Sequence, residues 1–337
     1  MNKGLTVVRD HFHFYCETVR KNCGFRLFWS IKSSNEFLKV INSSDVFSLQ
    51  VFDFSTLYTN LGQNEIISHL FQLFDFIFNS SSRRLLCVGR QRSFFAKKLY
   101  DGYHCFDLAQ FKEAIRFIVS EVYVCFGGLV FKQIRGIPMG GNCSPLLADL
   151  FLLHCEFVFM NTLLSSKKKI GLAKLLSRTT RYIDDLCIFN YKHFDTLLPK
   201  IYPSDLIAER NGTNDRSVDY LDVKICVEKD SLHTSVFHKV EDFPFEVILF
   251  TFPESLLPNR LGPRIFAGQV LRYLRICSHV EYVVTKVKYT CDIFIKRGYN
   301  LRSLRVCMEK LLNNYFNLLL KFGLFNSRQL SQLCGLV

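Results

Sequence analysis

Four residues, Tyr182-Ile183-Asp184-Asp185, constrain this chain more than any other stretch, because they set two adjacent carboxylates between apolar, β-prone neighbours. Two charges so close to a core are costly unless cations offset them. The surrounding run predicts a hairpin whose tip carries the pair. One carboxylate can then face a metal while the other points elsewhere or takes a supporting role. Taken alone, the tetrapeptide fits an Asp-Asp turn on a surface hairpin equally well.

A second acid narrows the choice. The run 46–54 reads as a buried strand, and Val51-Phe52-Asp53-Phe54-Ser55-Thr56-Leu57-Tyr58 places Asp53 at its end. An Asp in that place is often only a turn or helix cap. Beside the Asp184-Asp185 hairpin it supplies the third carboxylate that a two-metal phosphoryl-transfer site needs. Hard oxygen ligands without an imidazole favour Mg2+, with Mn2+ as the alternative. A third stretch runs from Gln133 through Gly136, Pro138, Met139 and Gly140 to Ser144, Pro145 and Ala148. Its glycines let backbone approach a ligand closely, although an ordinary Gly-rich turn into a helix has the same composition. Ser144 is expected to cap that helix and Pro145 to open it. Leu146, Leu147, Leu150, Phe151 and His154 then make one face.

Elsewhere the pattern is regular. The first forty-odd residues read as helical, with Phe25, Phe28, Trp29, Phe37 and Leu38 on apolar faces. A helix is predicted from about Asn64 to Phe78. The basic stretch 81–98, with Arg83, Arg84, Arg90, Arg92, Lys97 and Lys98, reads as solvated surface. Gly127-Gly128 marks a tight hairpin between strands. Another hairpin runs from Tyr220 to Phe237, turning near Asp230, and helices with interspersed Lys and Arg follow from Gly262. A boundary is placed near 253–263.

Forty-three Lys and Arg against thirty Asp and Glu give a formal charge of +13, which suits a polyanionic partner and equally a merely basic protein. The hydrophobic share of 49% excludes a disordered tail. The thirteen cysteines include no C-x-x-C pair, so a closed zinc cage is not expected and reduced thiols are. Charged or polar residues interrupt each apolar run before it reaches bilayer length, and residues 1–15 lack the apolar core of a secretory signal. The expectation is an intracellular protein, nuclear or cytoplasmic, with no membrane partner.

In combination and order these stretches resemble reverse transcriptases, specifically the Penelope-like retroelement group, whose palm shares ancestry with telomerase. Phe52-Asp-Phe-Ser-Thr-Leu-Tyr-Thr-Asn60 is similar to the first palm motif. Gly136-Ile-Pro-Met-Gly140 through Ser144-Pro-Leu-Leu-Ala148 is similar to the second, and Arg181-Tyr-Ile-Asp-Asp-Leu186 to the third. The resemblance implies an α+β right-hand polymerase palm, an antiparallel sheet packed on helices, followed by a helical thumb. The divisions are 1–45 as a helical remnant of the fingers–palm connection, 46–255 as the palm and 256–337 as the thumb-like region.

The implied activity is that of an RNA-directed DNA polymerase, a nucleotidyltransferase of a retrotransposon. It joins a dNTP to a primer 3′-hydroxyl on an RNA or DNA template. Asp53 and Asp184 would be the main metal ligands and catalytic residues, with Asp185 assisting. Tyr58 would gate the sugar. Phe54, Gln133, Gly136, Pro138, Gly140 and Ser144 would line the nucleotide and template. Tyr220-Leu-Asp-Val-Lys224 resembles the region leading into the primer grip, with Asp222 structural and Lys224 solvated. Phe243-Pro244-Phe245 and the Arg272 to Cys277 segment resemble the thumb, where Arg272, Arg275, Lys286, Lys288, Lys296 and Arg297 would suit phosphate contacts. Met139 stands where many reverse transcriptases have Gln, although Met occurs in this group's relatives. The fingers motifs would precede Met1, and the GIY-YIG endonuclease that commonly follows the thumb in this group has no counterpart in the sequence. These two gaps imply a truncated copy or a gene-model fragment. The alternative is therefore a catalytically inactive remnant that keeps the palm fold and binds nucleic acid.

Overall fold

Apolar residues at period two or near 3.6 set most elements. The computed structural model describes residues 1–81, 84–228, 231–245, 247–256, 258 and 261–321. Helices α1 (Asn2–Cys23) and α2 (Ser34–Asn42) precede strand β1 (Leu49–Phe54) and helix α3 (Gln63–Ser80). Strands β2 (Leu85–Val88), β3 (Ser93–Ala96) and β4 (His104–Phe106) lead to α4 (Leu108–Ser120), the β5 (Tyr123–Phe126) and β6 (Leu129–Lys132) hairpin, and α5 (Ser144–Leu164). Short α6 (Ile170–Leu176) is followed by β7 (Thr180–Tyr182), β8 (Asp185–Phe189), α7 (Leu198–Ile201) and β9 (Ala208–Asn211). Strands β10 (Ser217–Tyr220), β11 (Val223–Glu228) and β12 (Ser231–Val236) then give way to α8 (Leu261–Ile276), α9 (Val280–Lys296) and α10 (Leu301–Lys321). The chain divides into two compact units, Met1–Lys32 with Gln50–Thr213, and Ser33–Leu49 with Asn214–Val337.

The first unit holds the four-stranded sheet β7-β8-β1-β9, in which β7–β8 and β1–β9 pair antiparallel. Its core joins Phe52 and Phe54 of β1 and Leu186 and Ile188 of β8 to Leu5, Phe12, Leu70, Phe74 and Phe151 of the helices. Helix α5 is buried on all sides rather than on one face, from Leu147 through Glu156 without a break. Such a helix passes through the middle of a core. By length and composition it is also long and apolar enough to cross a membrane, contrary to the sequence expectation, and it is the one such helix among the described residues. Here 78% of its apolar window is covered by the protein itself, and its Asp149 and Glu156 pair with Arg181.

Three local expectations are corrected in this unit. The opening helix stops at Gly24, whose φ of +79° ends α1 in a left-handed cap. Phe28 and Trp29 therefore lie in irregular chain that runs beside β7, with Ser30 bridged to Arg181. The basic stretch 81–98 is not merely solvated surface: it holds β2 and β3, which pair with β4 in a three-stranded sheet over buried Leu86, Cys87, Phe95 and Ala96. Arg83 lies outside the described residues. Ser144 does not cap α5. It is the first helical residue, Cys143 occupies the cap, and the Ser144 hydroxyl donates to the Pro138 carbonyl.

The second unit packs α2 and α8–α10 with the antiparallel sheet β10-β11-β12. Phe37 of α2 meets Tyr220 with ring centroids 4.7 Å apart, and Phe266, Val270, Val283, Val287 and Phe294 fill the helical core. Between its buried strands and helices, the Thr234 hydroxyl donates to the Ile276 carbonyl at 2.6 Å. The expected turn near Asp230 lies outside the described residues.

Candidate active site

Side chains alternate across a strand, and the alternation places the acids. Phe52 and Phe54 enter the core cluster, so Asp53 faces the other side of β1. Leu186 and Ile188 do the same on β8, so Asp185 shares that side with Asp53. The two strands are neighbours in the sheet, and the Phe54 N–H donates to the Asp184 carbonyl at 3.3 Å. The structure thus brings all three aspartates to one end of one sheet. Glu209 of β9, unremarked in the sequence, is the register partner of Asp53 and adds a fourth acid to the row. Its Oε1 accepts from the Ser55 hydroxyl at 3.4 Å.

Tyr182 and Asp185 are register partners, which leaves Ile183-Asp184 as a two-residue turn. Ile183 has φ of +53°. A β-branched residue there is a genuine outlier, because its Cβ crowds the backbone where Gly or Asn normally sits. Strain of this kind persists only where surroundings over-determine it. Arg181, whose side chain is wholly buried, reaches this turn. Its Nη1 donates to the Ile183 carbonyl at 2.9 Å and to Asp149 Oδ1 at 3.0 Å. Its Nε donates to Glu156 Oε1, and its Nη2 to the Asp149 carbonyl at 3.3 Å. Both carboxylates are held in turn. Asp149 accepts from the Ser30 hydroxyl at 2.8 Å, and Glu156 from the Trp29 N–H and the Tyr202 hydroxyl, both at 3.1 Å. Burial pushes the Glu156 carboxyl above its ordinary range, against the pull of Arg181.

Nothing in the sequence pattern singled out this network, because buried charges are rare and Arg181 stands inside a motif valued for its acids. A signal was available: Asp149 and Glu156 are two acids on an otherwise apolar helical run, and such acids need a cation.

The glycine-rich loop is tied to the same place. Gly136 has φ of +80°, and a Cβ on it would collide with the Tyr58 carbonyl oxygen. Its N–H donates to the Leu61 carbonyl at 2.7 Å, and the Ile137 N–H to Tyr58 at 2.9 Å. Tyr58 is half-buried, and its hydroxyl pKa is raised by burial first, then by the charges of Asp184 and Asp149. Gly136 and Tyr58 therefore belong with the aspartates.

Other expected site residues sit differently. Phe54 is buried against Tyr202, with centroids 4.9 Å apart, so its ring packs in the core. Ser144 is buried and spends its hydroxyl on Pro138. Gln133 folds its amide onto the Arg135 carbonyl at 2.7 Å. Gly140 and Met139 lie on the exposed part of the loop. In the second unit Arg272, expected at phosphate, instead donates its Nε to Asp222 Oδ2 at 2.8 Å.

Among the described residues no three His, Cys, Asp or Glu side chains are gathered closely enough to form an ion cage by themselves. Magnesium seldom uses such cages. It is usually held by one or two carboxylates and completed by waters and substrate phosphates. Asp53 and Asp185 share one face, and the Asp184 carboxylate accepts no hydrogen bond or ion pair among the described residues, so the donor set fits that mode.

No family model matches the chain, and no curated protein matches it. Among solved structures it is similar to telomerase from Candida albicans in complex with a TWJ fragment of telomeric RNA. That match has a TM-score of 0.50 at 13% identity, covering 96% of this chain and 59% of that one. Apo telomerase from Candida tropicalis matches with a TM-score of 0.48 at 12% identity, over 94% of this chain and 51% of that one. The chain thus spans about three fifths of the first telomerase chain. At this identity the first likeness is one of fold, a mixed α/β arrangement with antiparallel sheets.

Proposed function

We propose that the chain is the palm and thumb of an RNA-directed DNA polymerase of the Penelope-like retroelement group, acting by metal-dependent nucleotidyl transfer. The observation that carries this reading is that Asp53 on β1 and Asp185 on β8 stand on neighbouring strands of one sheet, with Asp184 in the adjoining turn. Fold similarity to a telomerase supports it. The palm would span 46–255 and the thumb-like region 256–337, of which 322–337 lie outside the described residues.

Asp53 and Asp184 would hold the ions, with Asp185 assisting. When bound, magnesium would supply the positive charge that acidifies the primer 3′-hydroxyl and offsets charge on the departing pyrophosphate. Tyr58, locked by the Gly136 loop, would stand under the sugar of the incoming dNTP. Exposed Arg275, Lys288 and Lys296 of the second unit would suit template–primer phosphates.

Primer extension on poly(A)–oligo(dT) with magnesium tests the reading. Extension by the wild-type chain that disappears in Asp184→Asn is expected. Duplex binding without extension would favour the catalytically inactive remnant.

A further inference from the structure

The strained turn and the buried arginine bear on each other. Arg181 lies two residues before Ile183 and uses one nitrogen, Nη1, for both the Ile183 carbonyl and Asp149. Its backbone is fixed as well: the Arg181 N–H donates to Trp29 at 2.7 Å, and its carbonyl accepts from Ile31 at 2.8 Å. A guanidinium has donors in a rigid planar fork, so fixing Nε on Glu156 fixes where Nη1 points. Asp149 Oδ1 accepts from the same Nη1. The only backbone group the fork then reaches in the turn is the carbonyl of the residue in the left-handed conformation. Asp184, which follows, passes its own carbonyl to the Phe54 N–H and leaves its carboxylate unpaired among the described residues.

We infer that Arg181, aimed by Asp149, is a positioning residue that clamps the left-handed Ile183 turn and so presents the Asp184 carboxylate to a divalent cation. The last step rests on the proposed polymerase site; the clamp on the turn does not. Asp149 is the sharper test position, since Glu156 continues to pair with Arg181 when Asp149 is neutralised.

The decisive variants of the full chain are Asp149→Asn, Ile183→Gly and their combination. The metal-free readout is hydrogen exchange of the Phe54 amide by NMR, with the Leu70 amide of α3 as a control in the same unit. Asp149→Asn is expected to speed Phe54 exchange about tenfold, the size of a charge-assisted hydrogen bond at the weaker end, while Leu70 changes little. Ile183→Gly removes the need for a clamp, because glycine adopts positive φ without cost. In that background the effect of Asp149→Asn should shrink below about threefold.

Equal changes at Phe54 and Leu70, no change at either, or the same effect in both backgrounds would overturn the clamp and leave a structural ion pair. The second readout is Mn2+ affinity by EPR with a non-incorporable dTTP analogue present, expected to fall about tenfold in Asp149→Asn. Mn2+ held equally by both chains would overturn the presentation of Asp184. A wild-type chain that binds no Mn2+, while its Phe54 amide still responds, would overturn the polymerase reading and leave the clamp standing.

Discussion

The turns at Ile183-Asp184 and Leu221-Asp222 are built alike and used differently. Each follows a tyrosine, each is a two-residue loop in an antiparallel hairpin, and each holds an aliphatic residue at positive φ, +53° at Ile183 and +56° at Leu221. An arginine attends each one. In the first hairpin Arg181 grips the Ile183 backbone, and the Asp184 carboxylate has no partner among the described residues. In the second, Arg272 takes the Asp222 carboxylate itself. Local sequence therefore decides that an Asp stands beside a strained turn. What the nearest cation grips decides whether that Asp is available to a ligand.

The contrast breaks most directly at the two aspartates. Asp184→Asn is expected to lower primer extension roughly a thousandfold, equivalent to the several kcal/mol that metal-borne charge supplies. Asp222→Asn should leave extension within about threefold and cost about 1 kcal/mol of stability, as partly exposed pairs do. Extension assays beside urea melts separate the two effects.

The arginines give the next largest difference. Glu156→Gln strands part of a wholly buried pair and is expected to cost about 3–5 kcal/mol in denaturant unfolding. Arg272→Gln, at a pair whose side chains are 28% and 29% exposed, should cost about 1 kcal/mol. Similar costs at both sites would erase the distinction between a backbone clamp and a surface pair.

Acid should lower the stability of the first unit. His154 lies on α5 with its Nδ1 3.1 Å from the Nδ1 of His69. Its pKa is lowered from 6.5 to about 4, by burial first and then by His69. The unfolded chain accepts a proton below pH 6.5 that the folded chain refuses until about pH 4. The stability is therefore complete above pH 6.5 and is lost as pH falls toward 4, by about 3 kcal/mol from this residue. Thermal melts across that range should show the slope, and His154→Asn should make it shallower, with buried His13, also lowered to about 4, keeping part of it. The smallest effect belongs to Ile183→Gly and Leu221→Gly, which relieve left-handed strain of about 1–2 kcal/mol while adding unfolded-state entropy. Net changes within about 1 kcal/mol are expected at both.

Much of the fold and of the site is legible in the sequence alone, wherever one period of residues fixes one element. The strand before Asp53 and the helix 64–78 carry unambiguous patterns, and Gly127-Gly128 marks its own turn, with φ of +57° and +78°. The hairpin holding Asp184 is legible because apolar β-prone residues flank two acids. Local signals mislead where tertiary context overrides them. The run 147–156 is apolar enough to suggest one face, yet it is buried all round with two acids answered by a distant arginine. The charges of 81–98 hide a small sheet, since the short apolar pairs Leu86-Cys87 and Phe95-Ala96 between them are buried. Residues 33–49 join the second unit across more than a hundred residues of chain, a grouping that depends on packing and leaves no local mark.

What the Asp53–Asp184 end of the sheet binds is the central question. A Mn2+ titration followed by EPR, with a non-incorporable dTTP analogue present, asks this of the wild-type chain, Asp53→Asn, Asp184→Asn and Asp222→Asn. Binding that is lost in the first two variants and kept in Asp222→Asn is the expected result. Binding that survives both Asp53→Asn and Asp184→Asn, or that depends on Asp222, would contradict the assignment.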